Sequence, residues 1–304
     1  MKKTTAILAS AVALVMAGSA IAETTVYGRA RMGLIVASDN DAAVGLVNDS
    51  SRFGFKGSED LGNGMSAIYK FELGYNADNA KQKSGVSTRI GMVGLKGDFG
   101  TFAMGNMWVP VYNLVAGNVD PFNHFGLDDG YQLGSRKGDA LAYANKFGDV
   151  KFQMAVVSND AANNTPAGTE DDLMDAYNVA VSFPAGPVAI GIGIHNNTDD
   201  SGMAVSIGYK GDGFGITFAY NDAEDLGGDK YTTLVGTMGV GAKGKALLRW
   251  SSADNADETG VTIGYHHNLS KRTQVYVENL SSKLLDKNGV EKVDSTIIGL
   301  KHNF

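Results

Sequence analysis

The sequence predicts an all-β chain, a 16-stranded antiparallel transmembrane β-barrel with one connection folded inward, and three observations predict it. Apolar and small or polar residues alternate with period two along most of the 304 residues. The connections between these runs alternate between tight turns and long polar loops. Beyond residue 22, no apolar run approaches the roughly 20 residues that a membrane helix requires, so a membrane-spanning chain must close into a barrel to satisfy its backbone.

The first 22 residues predict a signal peptide. Lys2 and Lys3 give a basic start, Ala6 to Met16 is apolar apart from Ser10, and Ala20-Ile21-Ala22 supplies the small residues of a cleavage site. A signal anchor is the alternative, but the apolar run is short for a span. Cleavage after Ala22 makes 23–304 one barrel domain. Loss of the two lysines takes the formal charge from −7 to −9, which argues against nucleic acid as a partner. With no cysteine in the chain, disulfides and thiolate metal sites are excluded.

Strands are predicted near 24–37, 51–60, 65–75, 87–97, 100–107, 134–144, 150–158, 173–183, 188–195, 202–211, 213–222, 230–239, 244–251, 260–268, 273–281 and 292–304. In Val188–His195 one face is Val188, Ile190, Ile192 and Ile194, and the other is Ala189, Gly191, Gly193 and His195. Phe214, Ile216, Phe218 and Tyr220 likewise oppose Gly215, Thr217, Ala219 and Asn221. Large groups on one face and small or polar groups on the other suit lipid outside and water inside. Aromatic residues at strand ends, among them Tyr177, Tyr209, Phe214, Trp250 and Tyr265, match interfacial girdles. Short turns fall around 61–64, 98–99, 146–149, 184–187, 212, 240–243 and 269–272. Long loops fall on the other side.

Three segments resemble the Gram-negative general diffusion porins. They are Ser51–Gly64 (SRFGFKGSEDLGNG), Arg89–Gly105 (RIGMVGLKGDFGTFAMG) and Ile298–Phe304 (IGLKHNF). The resemblance spans 23–304. It implies a trimeric outer-membrane barrel whose third loop forms a constriction, and a terminal Phe304 that is read by the barrel assembly machinery. One position departs from the pattern: Asn106 follows the glycine of the fifth strand where the family often has Arg.

The segment Trp108–Leu133 breaks the alternation. Pro110 and Pro121 limit its flexibility, and Trp108, Val109, Val111, Tyr112, Leu114, Val115, Phe122 and Phe125 give it an apolar side. Folding onto the inner wall would bury that side at about 25 cal/mol per Å² and leave Asp120, Asp128 and Asp129 facing the lumen. An external loop packed on a neighbouring subunit is the alternative. By alternation Arg29, Arg31, Arg52, Lys56, Lys70 and Arg89 face inward, since a charge facing lipid costs roughly 2–4 kcal/mol near the bilayer centre, and Arg136 joins them because it directly follows the inward segment. Arg89 is assigned inward by taking Ile90 and Met92 as outward. An acidic loop against this basic wall sets up a transverse field that favours polar solutes.

The external loops are acidic, including Asp39, Asp41 and Asp49, Glu170 to Asp172, Asp199 and Asp200, and Asp222, Glu224 and Asp225. They suit solubility, a cation-concentrating mouth, or divalent bridging to lipopolysaccharide. The barrel and its resemblance predict a passive channel for small hydrophilic solutes, to which the acidic rim and the net charge add a weak cation preference. Gly239–Gly244 satisfies G-x-G-x-x-G, but a strand follows it rather than a helix. His266 and His267 are adjacent, so they face opposite sides of a strand. No nucleophile elbow or metal-spaced cluster occurs, so no enzymatic activity, catalytic residue, metal site or cofactor is expected. A substrate-selective porin and, further off, a barrel enzyme are the alternatives.

Overall fold

The computed structural model describes residues 23–37, 44–78, 85–127, 136–157, 176–197, 200–224, 229–254, 258–282 and 294–304. Asp39, Asp41, Asp128, Asp129, Glu170 to Asp172, Asp199, Asp225 and residues 1–22 lie outside them.

The described strands are β1 (Glu23–Ala37), β2 (Val44–Asn48), β3 (Arg52–Gly62), β4 (Met65–Tyr75), β5 (Val86–Gly97), β6 (Gly100–Trp108), β7 (Arg136–Phe147), β8 (Val150–Val157) and β9 (Ala176–Ala185). They continue as β10 (Val188–Asn197), β11 (Ser201–Lys210), β12 (Phe214–Asp222), β13 (Lys230–Val240), β14 (Gly244–Ala253), β15 (Glu258–Asn268), β16 (Thr273–Ser282) and β17 (Ser295–Asn303). From β3 onward each pairs antiparallel with its sequence neighbour, and β1 pairs with β17 from Arg29↔Asn303 to Ala37↔Ser295, which closes the cylinder. Closure leaves no edge strand unpaired in lipid.

The barrel has sixteen staves because β2 and β3 share one. β2 pairs with the upper half of β1 (Met32↔Asn48 to Val36↔Val44) and β3 with the lower half (Glu23↔Ser58 to Arg29↔Arg52). The sequence reading, starting this strand at 51, misses its upper half. Between the halves, Asp49, Ser50 and Ser51 leave the ladder, and Ser50 takes a positive φ of 57°. That kink turns Asp49 inward, where Arg31 Nη2 lies 3.1 Å from its carboxylate. Asp49 is therefore a buried partner of the wall, not one of the acids at the mouth.

The alternation reads out as two faces. Ile192, Ile194, Ile216, Phe218, Leu248 and Ile263 are exposed on the outside, while Gly191, Gly193, Ala219 and Asn221 are buried inside. Tyr177, Tyr209, Phe214, Trp250 and Tyr265 stand on the outer face near strand ends. Every short turn falls where the sequence places it. The backbone of Phe304 pairs with Gly28 in both directions (3.0 and 3.1 Å), and its ring covers the position a Cβ on Gly28 would need.

One strand departs from strict alternation. The β4–β5 register shifts between Glu72 and Leu73, pairing Glu72 with Ile90 and Leu73 with Thr88, so Arg89 occupies a bulge. A bulge points two successive side chains to one face. Ile90 and Met92 consequently face the lumen, opposite Glu72 and Lys70, rather than lipid as alternation alone predicts. Arg89 also faces inward, held by Glu72.

Candidate functional site

After β6 the chain enters the barrel. Val109 caps a single helical turn, α1 (Pro110–Leu114), with proline at a first-turn position where its missing N–H costs nothing. A 3-10 turn, Ala116–Val119, follows. Val111, Leu114 and Val115 pack on Ala180 of β9, Ala204 of β11 and Ala223. Ala116 and Val119 pack on Ala219 and Val235. Fully burying a valine or leucine contributes about 1.5–3 kcal/mol, so this apolar side is a strong docking force.

The wall accepts the segment because its inner positions are small. A Cβ on Gly191 would lie 2.4 Å from the Leu114 carbonyl oxygen, and one on Gly193 2.6 Å from Val111 Cγ2. The small face of β10, read in sequence as lumen lining, is thus a seat for the loop. Polar contacts fix the register. Val111 N–H donates to Asn178 Oδ1 at 2.8 Å, and Asn118 Nδ2 donates to Ser206 Oγ at 3.0 Å.

The far end of the segment is pinned more tightly. Glu278 of β16, fully buried, accepts the backbone N–H of Asn123 (2.6 Å), His124 (2.9 Å) and Phe125 (3.3 Å) and lies 2.7 Å from His266 Nε2. Arg249 donates to the Gly126 carbonyl at 3.0 Å and sits 5.2 Å from the Phe122 ring centroid. Asn123 Oδ1 accepts from Lys301 Nζ at 2.8 Å and from Arg31 Nη1 at 3.3 Å. The segment therefore starts at β6, runs along the wall past β8 to β13, and ends against β16, β17 and β1.

That end faces a cavity of about 460 Å³. Arg29, Arg31, Arg52, Arg89, Arg136 and Lys301 line it together with Asp49 and Asp120. Glu72 organises the middle of the wall, lying 3.4 Å from Arg52 Nη1 and 2.8 Å from Arg89 Nε, and accepting the Tyr27 hydroxyl at 3.1 Å. Asp49 receives Arg31 and the Tyr276 hydroxyl (3.1 Å), with His124 Nδ1 3.5 Å away. Opposite, Tyr112 donates to Asp120 at 3.0 Å and stacks on Trp108 at 4.0 Å, and the Arg136 guanidinium lies 4.7 Å from the Trp108 ring.

Of the residues singled out in the sequence, Arg29, Arg31, Arg52, Arg89, Arg136 and Asp120 meet at this one cavity. Lys56 and Lys70 sit lower on the same face, flanking the Tyr27 ring at 5.6 and 5.7 Å. Lys301, Arg249 and Glu278 escape the sequence reading, although alternation marks all three as inward. Lys301 follows the exposed Leu300, Arg249 lies between the exposed Leu248 and Trp250, and Glu278 shares the inward face of Tyr276.

A family model described as Gram-negative porin matches residues 9–282. The major outer membrane protein P.IB of Neisseria meningitidis serogroup A is 24% identical over 325 residues, covering 97% of this chain and 88% of that protein. An outer membrane porin protein of Bordetella pertussis is 24% identical over 396 residues, covering 100% of each chain. Among solved structures, an anion-selective porin from Comamonas acidovorans superposes with a TM-score of 0.78 at 21% identity, covering 93% of this chain and 100% of that one.

Proposed function

The chain belongs to the Gram-negative porin family and resides in the bacterial outer membrane, and on that premise we propose that it is a passive diffusion channel for small hydrophilic solutes and ions, with segment 108–133 as its constriction. The observation that carries this reading is the docking of 108–127 on the small inner face of β9 to β13, with its far end against the basic wall. What is left open there is a polar cavity lined by charges of both signs. Arg29, Arg31, Arg52, Lys56, Lys70, Arg89 and Arg136 form one side of the filter, and Asp120, with Asp128 and Asp129 on the same segment, the other. Opposed charges across a narrow aqueous gap orient dipolar solutes and disfavour apolar ones, which gain nothing for the ordered water they displace. The reading as a channel and not an enzyme follows the family, which is one of porins.

Two further parts of the reading rest on the family resemblance, assembly as a homotrimer and recognition of Phe304 by the assembly machinery; residues 1–22 as a cleaved signal peptide rest on their basic start, apolar run and small-residue site. Contact of the acidic external loops with lipopolysaccharide rests on their charge alone.

A second reading concerns ion preference. The weak cation preference expected from sequence rests on the acids at the mouth and the net charge of −9, from −7 less the two lysines of the signal peptide. At the cavity itself six basic side chains face two carboxylates, and charge at the narrowest point weighs most on permeation. The solved structure with the 0.78 TM-score is of an anion-selective porin. We therefore propose an anion-leaning filter behind a cation-attracting mouth. Single-channel conductance and reversal potentials in a KCl gradient across planar bilayers test both levels: no conductance overturns the channel, and a cation-selective potential overturns the anion-leaning filter.

A further inference from the structure

A second cavity, of about 240 Å³, lies between the loop and the short-turn end of the barrel. Ile90, Met92, Met107, Trp108 and Pro110 line it, with small Ala103 and Ala142 behind. Lys70, Thr101, Asn113 and Gln153 also border it, and no carboxylate does among the described residues. Such a crevice contrasts with the cavity beyond the far end of the loop, which charged and polar side chains line. The bulge at Arg89 is what turns Ile90 and Met92 to this face.

Water in an apolar crevice lacks hydrogen-bond partners, so an apolar group of the right size displaces it favourably. The charge beside the crevice is positive. Lys70 and Lys56 flank the Tyr27 ring at 5.7 and 5.6 Å, and Glu72, on the same strand face as Lys70, is already held by Arg52 and Arg89. The volume is below the roughly 300–1,000 Å³ of sites for drug-sized ligands, which limits the occupant to a small molecule.

We propose that this crevice is a lumenal subsite for small organic anions with an apolar body, aromatic or branched carboxylates of about the size of benzoate. The ring or branched chain occupies the surface formed by Ile90, Met92, Met107 and Pro110, and the carboxylate turns to Lys70. The subsite deepens the channel reading and rests on it, since the lumen is then the route such anions travel and residence in the crevice enriches them beside the constriction.

Trp108 borders the crevice, and the only other tryptophan is Trp250, on the outer face. Trp250→Phe therefore leaves a single reporter. Benzoate added to that variant is expected to change Trp108 fluorescence saturably, while acetate and benzyl alcohol at equal concentration do not. Lys70→Gln and Met92→Asn, each made in the same background, should weaken the half-saturating concentration about fivefold or more. An equal response to acetate removes the apolar subsite, and an equal response to benzyl alcohol removes the anion requirement; either overturns the proposal. Conductance in KCl is measured on the same preparation. A conducting protein with no saturable benzoate response overturns the subsite alone, whereas a non-conducting one overturns the channel reading with it.

Discussion

The carboxylate of Glu278 accepts the backbone N–H of Asn123 at 2.6 Å, joining a strand of the barrel wall to a segment 155 residues earlier in the chain. The same carboxylate takes the amides of His124 and Phe125. It holds the far end of the loop much as an N-cap holds a helix, by gathering backbone donors that would otherwise be left without partners in a narrow space.

Glu278→Ala should release that end. Hydrogen bonds to a charged group contribute about 1.5–3 kcal/mol each, and the variant loses three backbone partners at once. Single-channel recordings are expected to show larger and noisier currents, while the folded barrel keeps its heat-modifiable mobility on gels. Unchanged current in a folded variant would mean that the loop's apolar side and its remaining polar contacts hold it without Glu278.

Glu72→Gln tests how the basic wall is balanced. The carboxylate lies within 3.4 Å of Arg52 and 2.8 Å of Arg89, so its neutralisation adds one net positive charge to the wall. Anion over cation permeability should rise by on the order of twofold at low salt and fall back as salt screens the field. Lys301→Gln should move the reversal potential in the opposite direction. A shift of the same sign in both variants would argue against a charge filter at this position.

Asp49 provides a stability test. It neutralises the buried Arg31 and receives the Tyr276 hydroxyl at the kink between β2 and β3. Removing one partner of a buried pair costs about 3–5 kcal/mol, so Asp49→Asn is expected to lower the thermal unfolding temperature clearly. Asp200→Asn, at an exposed position, should stay within about 0.5 kcal/mol. Calorimetry of the two variants separates the inward placement of Asp49 from a place on the rim, where both would behave alike.

Most of the barrel is legible because a strand's side chains obey a period of two and lipid enforces it on every outward position. Lys56, Lys70 and Arg52 follow directly from their outward neighbours Phe55, Tyr69 and Phe53. Alternation fails where the ladder is irregular. The kink at Asp49 and the bulge at Arg89 each insert residues that shift the parity, and neither carries a local signature beyond ordinary polar residues. Alternation puts Arg89 on the correct face through neighbours that in fact share it. The loop announces itself by unexplained apolar groups, but its seat does not. Gly191 and Gly193 read as water-facing small residues, and only the approach of Leu114 and Val111 to within 2.4 and 2.6 Å of their missing Cβ positions reveals them as packing partners. Alternation marks Glu278 as inward, but its role is hidden for a related reason: its partners are backbone amides of a distant segment, which no side-chain pattern marks.

As a constriction, the segment beginning at Trp108 would lie across the path of permeation. The chain has no cysteine, so Asp120→Cys supplies a single reactive thiol at the cavity between loop and wall. Its conductance in planar bilayers, measured before and after modification with a bulky trimethylammonium-bearing methanethiosulfonate, shows whether the segment obstructs the current. A constriction at this position gives a steep fall in single-channel current that a reducing agent reverses. Unchanged current, with mass spectrometry showing complete modification of the thiol, would contradict it.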